Sequence, residues 1–188
     1  SQGHRRQLAI LMARDTLFAI VNADTVAGAL VVCQREEDIE SFSLPNVRVI
    51  VRADLQMNEA ITAGVEIVRA DQPMAHVASL PGDLPYLRSS ELDVALRHAA
   101  GCPRAVVGDR DAQGTTLLTA RGGTELAPAY GAHSLLRHKA SGAAELSTPT
   151  WSGLRRDVDR PADLVPGPAL GQRTRAMLEH TPELKVPA

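Results

Sequence analysis

Acidic side chains delivered to the end of an apolar run are the first place to look for chemistry in this chain. In Leu80-Pro81-Gly82-Asp83-Leu84-Pro85 an apolar strand leads one carboxylate into a turn. Gly82 permits a tight bend, and the two prolines remove backbone freedom around Asp83. A carboxylate held this way suits Mg²⁺, which takes one or two carboxylates and completes its shell with water and substrate phosphates. A turn-capping aspartate is the competing reading. In Arg155-Arg156-Asp157-Val158-Asp159-Arg160-Pro161 the pattern predicts a short strand and its exit over residues 154–159, with two carboxylates near its end. Asp157 is assigned to the metal, and Asp159 to capping the helical turn that opens at Pro161.

A third region has the makings of an anion site. It joins Gly108-Asp109-Arg110-Asp111-Ala112-Gln113-Gly114-Thr115-Thr116 to Tyr130-Gly131-Ala132-His133-Ser134. Gly114 and Gly131 let backbone N–H groups approach a negative charge, while Thr115 and Ser134 add hydroxyl donors, Ser134 close to a helix start. A hairpin turn followed by an ordinary helix cap has the same signature. The neighbouring His133, Arg137, His138 and Lys139 read as a solvated basic face.

The elements that position these loops follow from hydrophobic periodicity. Residues 7–22 predict an amphipathic helix, with Leu8, Leu11, Met12, Phe18 and Ala19 inward and Arg14 and Asp15 facing water. Buried strands are expected at 29–33 and 47–51, on either side of a charged connector, and a helix at 58–70 leads to a strand at 75–80. Ser90, with Asp93 three residues on, predicts a capped helix to about residue 98. Strands at 104–107 and 115–119, as a hairpin or a bent crossover, and helices at 134–144 and 170–180 complete the chain. This alternation predicts an α/β fold with a mainly parallel sheet covered on both faces and its ligand site at the strands' carboxyl ends.

Composition narrows the function. With 188 residues, 44% of them hydrophobic, residues 1–188 fit a single domain that buries ~70% of its unfolded surface. The 20 Lys and Arg against 22 Asp and Glu leave a net charge of −2, which disfavours nucleic acid or an anionic membrane as partner. Trp151 and two tyrosines give no stacking platform for bases. No run approaches the ~20 apolar residues of a membrane span, and no signal-peptide core follows the first residues, so a cytoplasmic location is expected. Cys33 and Cys102 lack CxxC spacing, so neither a zinc site nor a disulfide is indicated, and both are expected in the core. Lys139 and Lys185 are the only lysines, leaving few ammonium groups to grip phosphate. HExxH, GxGxxG, P-loop and Ser-His-Asp patterns are missing, which argues against the corresponding enzyme classes.

These loops, in this order, resemble the guanylyltransferase family of coenzyme F-420 (deazaflavin) biosynthesis, which joins GMP from GTP to phosphoenolpyruvate or 2-phospho-L-lactate. The match runs through Gly82-Asp83-Leu84-Pro85, Asp109-Arg110 to Gly114-Thr115, Tyr130-Gly131-Ala132-His133-Ser134 with Arg137-His138, Ser141-Gly142-Ala143-Ala144-Glu145-Leu146, and Gly153-Leu154-Arg155-Arg156-Asp157-Val158-Asp159 with Pro161-Ala162-Asp163-Leu164. The resemblance implies a nucleotidyltransferase three-layer α/β sandwich shared with molybdenum-cofactor guanylyltransferases, and Mg²⁺ held by Asp83 and Asp157. It also implies that Thr115, Gly131 and Ser134 bind the carboxylate end of the phosphorylated acid. Asn58 matches the family's nucleotide-contacting asparagine, and a helix-start cap is its alternative role. Family members begin with a strand and a phosphate-gripping loop. Residue 1 falls just before the helix that follows that loop, so this cradle is expected to be missing from the 188 residues. Another small nucleotidyltransferase, or a non-catalytic nucleotide-binding module, is the alternative expectation.

Overall fold

The computed structural model describes residues 2–149 and 152–180; Trp151 and Lys185 lie outside them. In chain order the elements are α1 (Gln2–Val21), β1 (Ala29–Cys33), α2 (Ile39–Phe42), β2 (Val47–Val51), α3 (Met57–Asp71), β3 (Val77–Ser79), α4 (Ser89–Ala99), β4 (Arg104–Gly108), β5 (Thr115–Ala120), α5 (Ser134–Ala140), β6 (Ala144–Glu145) and α6 (Gln172–His180). Among the described residues no helix is long and apolar enough to cross a membrane.

The strands form two sheets. β1 and β2 pair in parallel, from Ala29 opposite Val47 to Cys33 opposite Val51. The second sheet has the order β3-β5-β4-β6; β4 and β6 run parallel, while β5 is antiparallel to β3 and to β4. The loop between β4 and β5 is too short for a parallel crossover, so these strands close as a hairpin. A register shift between Val107 and Gly108 sets Gly108 opposite Thr115.

Alternation along β4 and β5 builds the layers. Val107 and Leu117 face one side with Leu84, Leu87, Leu92, Leu154, Ala19 of α1 and Ala23 just after it. Val106 and Leu118 face the other, with Leu126, Tyr130 and Leu135, packed by Ile61 and Val65 of α3. The four-stranded sheet thus lies between α1 and α4 on one face and α3 and α5 on the other, an α/β sandwich.

The second half of α1 is wrapped by the fold, while its first turns and Phe18 remain exposed. Leu17 meets Cys33 and Phe42 beneath the first sheet, and Met12 meets Tyr86, Leu170 and Leu178 beside α6. Asp15, expected to face water, is buried. It accepts hydrogen bonds from the Thr174 amide (2.8 Å), Thr174 Oγ1 (2.7 Å) and the Arg173 amide (3.2 Å), which caps α6 from another helix. Phe18, assigned inward, is instead half exposed beneath the Arg173 guanidinium.

Two other local expectations are corrected. The cap of α4 is Arg88, whose amide donates to Glu91, and Asp93 accepts from the Asp24 and Thr25 amides and the Thr25 hydroxyl, so it ties the loop after α1 to α4. Residues 154–159 form no strand: Ser152 caps a 3-10 turn at Gly153–Arg155, and the chain then continues without regular pairing. Leu154 and Val158 mimic strand alternation, but each packs into a different core cluster. Cys33 is buried and Cys102 half-buried, and both are free thiols.

Candidate active site

Asp83 is held by its backbone. Thr16 of α1, itself buried, donates its hydroxyl to the Gly82 carbonyl (3.2 Å) and accepts the Leu84 amide (3.1 Å), gripping the turn on both sides of Asp83. From the other direction the Val158 amide donates to the Asp83 carbonyl at 3.0 Å. That bond brings the 157–159 segment against the turn, although Asp83 and Asp157 are far apart in sequence.

The electrostatics record the crowding. Burial raises the Asp83 carboxyl above the ordinary aspartate range, with the charge of Asp159 adding to the effect. Asp157 is pushed up to about 6, first by burial and then by the charges of Asp109, Asp159 and Asp83. Asp83 Oδ1 is buried and finds no hydrogen-bond partner among the described residues. Like charges drawn together and an orphaned carboxylate oxygen are what a hard divalent cation relieves, so the donor set fits Mg²⁺. Among the described residues no three or more His, Cys, Asp or Glu side chains gather into a metal cage. Two carboxylates completed by substrate phosphates need no such cage.

Asp159 does not cap the turn at Pro161. The cap is Arg160, whose amide donates to Asp163 at 2.8 Å, and Asp163 also accepts from Arg110. Neighbouring arginines brace the loop: Arg155 donates to the Gly108 and Asp109 carbonyls, and the Arg156 guanidinium lies 3.8 Å over the Tyr86 ring. Arg155 and Gly108, with Glu145, Leu146, Ser147 and Thr148, line a cleft of about 300 Å³ at the carboxyl end of β4.

Asp109 joins this carboxylate cluster to the expected anion pocket. Its side chain accepts the Gln113 amide at 2.9 Å and the Gly114 amide at 2.6 Å. The Gly114 N–H is therefore already engaged. Glycine is needed there for closeness, since a Cβ would lie 2.5 Å from Asp109 Oδ2. Thr115 and Ser134, distant in sequence, are brought together: Ser134 Oγ donates to Thr115 Oγ1 at 3.1 Å. Gly131 adopts φ +113° in the loop that enters α5.

Asn58 does not cap α3, whose cap is Gln56 with Glu59. It reaches across to the pocket loop, accepting the Tyr130 amide at 2.8 Å and donating to the Tyr130 carbonyl at 3.3 Å. His138 is the larger surprise. Read as part of a solvated face, its side chain is fully buried, with Thr115 Oγ1 2.9 Å from Nδ1 and the Ala129 amide donating to Nε2 at 2.8 Å. Burial, reinforced by Arg104 and Arg137, lowers its pKa to about 4. Thr16 and His138 escaped the sequence reading because each acts through a long-range backbone or hydroxyl contact, whereas Asp109 acts on its own loop through Gln113 and Gly114. The Asp109-to-Gly114 spacing was the one local clue to any of them.

Comparison with known proteins settles the family. The chain is 39% identical over 181 residues to a phosphoenolpyruvate guanylyltransferase of Thermomonospora curvata, covering 95% of this chain and 79% of the relative. The chain belongs to the phosphoenolpyruvate guanylyltransferase family. Relatives of the same name from Streptomyces coelicolor (40% identical, 90% of this chain, 80% of theirs) and Geodermatophilus obscurus (41%, 89% and 75%) agree. No protein-family model matches the chain. A solved structure described as a nucleotide-diphospho-sugar transferase, from Desulfovibrio desulfuricans G20, superposes with a TM-score of 0.70 over 97% of this chain and 85% of that one. At 15% identity the likeness is one of fold alone, and it gives this member of the phosphoenolpyruvate guanylyltransferase family a nucleotidyltransferase-like fold.

Proposed function

We propose that this protein transfers GMP from GTP to phosphoenolpyruvate and releases pyrophosphate, as a cytoplasmic step of coenzyme F-420 biosynthesis. What supports this reading, beside family membership, is that the charges of Asp83 and Asp109 act on Asp157 while the Asp109 side chain holds the Gly114 amide, one residue before Thr115. Asp83 and Asp157 would hold Mg²⁺, which when bound neutralises the phosphates of the two substrates.

The residues divide the remaining work. Thr115, Gly131 and Ser134 take the carboxylate end of the acid, and Asn58 fixes the Tyr130 loop that carries Gly131. The acid's phosphate oxygen attacks the α-phosphorus of GTP, a new P–O bond forms, the bond to the bridging oxygen of the β-phosphate breaks, and its electrons leave with pyrophosphate. The attacking oxygen is ionised near neutral pH and needs no general base. Catalysis then reduces to orientation and charge neutralisation.

Mass spectrometry of the product from GTP and Mg²⁺ with each acid tests the proposal. The expected product is the diphosphate-linked enolpyruvyl-guanosine. A guanylylated 2-phospho-L-lactate in its place would reassign the acceptor, and GTP binding without any adduct would support a non-catalytic module.

A further inference from the structure

The two hydroxyls of the proposed acid pocket rest on a side chain outside it. His138 Nε2 faces the Ala129 N–H at 2.8 Å, and an amide can only donate, so Nε2 carries the lone pair. In the neutral ring the proton then sits on Nδ1 and points at Thr115 Oγ1, 2.9 Å away. Ser134 Oγ donates to the same oxygen at 3.1 Å. Thr115 Oγ1 therefore accepts twice, which uses both of its lone pairs. Its own O–H hydrogen is left over, since Ser134 Oγ is already the donor in the bond they share.

We propose that His138, fixed as the Nδ1–H tautomer by the Ala129 amide, is a positioning residue that turns Thr115 into an obligatory donor toward the substrate's carboxylate. The inference rests on the reading that Thr115 contacts the acid. A free hydroxyl rotates between donor and acceptor roles, and a carboxylate gains only from the donor. The arrangement pre-sets that choice before substrate arrives, which reduces the ordering that binding must impose. The setting keeps the ring in place: His138 stacks edge-on against Tyr130, with ring centroids 5.3 Å apart. The charges facing it, Arg104 and Arg137, are both cationic and spend their donors on backbone carbonyls, Arg104 also on Ser141 Oγ.

Nitrogen NMR of histidine-labelled, substrate-free protein reads the tautomer directly. The expected pattern is a protonated, pyrrole-type Nδ1 and a pyridine-type Nε2 for His138. The reverse pattern, or two protonated nitrogens at neutral pH, would overturn the proposal whatever the activity. Kinetics of three variants separate it from the reading beneath it. Asparagine can place an N–H where Nδ1 stood, whereas glutamine reaches the Nε2 position and leaves Thr115 without that donor. His138→Gln should raise KM for phosphoenolpyruvate on the order of tenfold, the worth of one charge-assisted hydrogen bond, with KM for GTP unchanged. His138→Asn should stay within about twofold of the parent. If Thr115→Val raises that KM while His138→Gln does not, the positioning role falls and the pocket stands. If Thr115→Val leaves it unchanged, the pocket assignment itself is wrong.

Discussion

Asp83 and Asp157 share a difficulty that a cation resolves, and each can be probed by removing its charge and keeping its shape. Asp83→Asn preserves the turn, because the bonds from Thr16 and Val158 go to backbone atoms. It should therefore leave the unfolding temperature near that of the parent while lowering metal-dependent turnover by about 10³-fold, the scale of several kcal/mol of lost charge stabilisation. A folded, fully active variant would remove the metal role. His138 makes a separate prediction about pH. Its folded pKa of about 4 lies below the ordinary histidine value of 6.5, so the neutral ring stabilises the fold above about pH 6.5. That stability is lost as pH falls toward 4, by roughly 3 kcal/mol in full. Urea unfolding at several pH values should show this loss in the parent and a flatter profile in His138→Asn; superimposable profiles would refute it. Asp83 was legible in the sequence because glycine and proline bracket it. His138 was not, since a helical pattern of Leu135, Leu136 and His138 leaves open which side meets the sheet.

At the scale of elements, what matters is how closely segments approach. Gly153 lies where an added Cβ would sit 1.9 Å from the Tyr86 carbonyl oxygen, so the 3-10 turn that leads into Asp157 rests directly on the Asp83 side of the molecule. Gly153→Ala must push the two apart. Thermal or denaturant unfolding should show a loss of about 3 kcal/mol or more, and activity should fall with it because Asp157 moves. β1 to β5 and most helices were readable from period alone, with α3 differing by one residue at each end from the expected span, whereas β6 was missed because Ala144 was given to a helix at 134–144 that ends at Ala140. The 154–159 segment was misread because apolar Leu154 and Val158 straddle polar residues as they would on a strand. What distinguishes it is tertiary: Arg155 and Leu154 satisfy contacts to β4 and the core, where a neighbouring strand would otherwise sit.

Across the whole molecule, the first and last helices are coupled by one buried carboxylate. Asp15→Ala would strand the Thr174 amide and hydroxyl without partners in a buried setting, so stability should drop by about 2–4 kcal/mol in denaturant unfolding. The loss should vary little with added salt, because the contact is shielded from solvent. No sequence period announces such a contact across 159 residues. The family resemblance was legible all the same, because five separate loops recur in a fixed order even where single motifs are weak. The division of the strands carries one more consequence. β5 has a bonded neighbour on each side, whereas β1 and β2 bond only to each other among the described residues. Backbone protons should accordingly exchange with heavy water on two timescales, those of Leu117 and Leu118 only when the entire chain opens, and those of the small sheet by a cheaper, local parting.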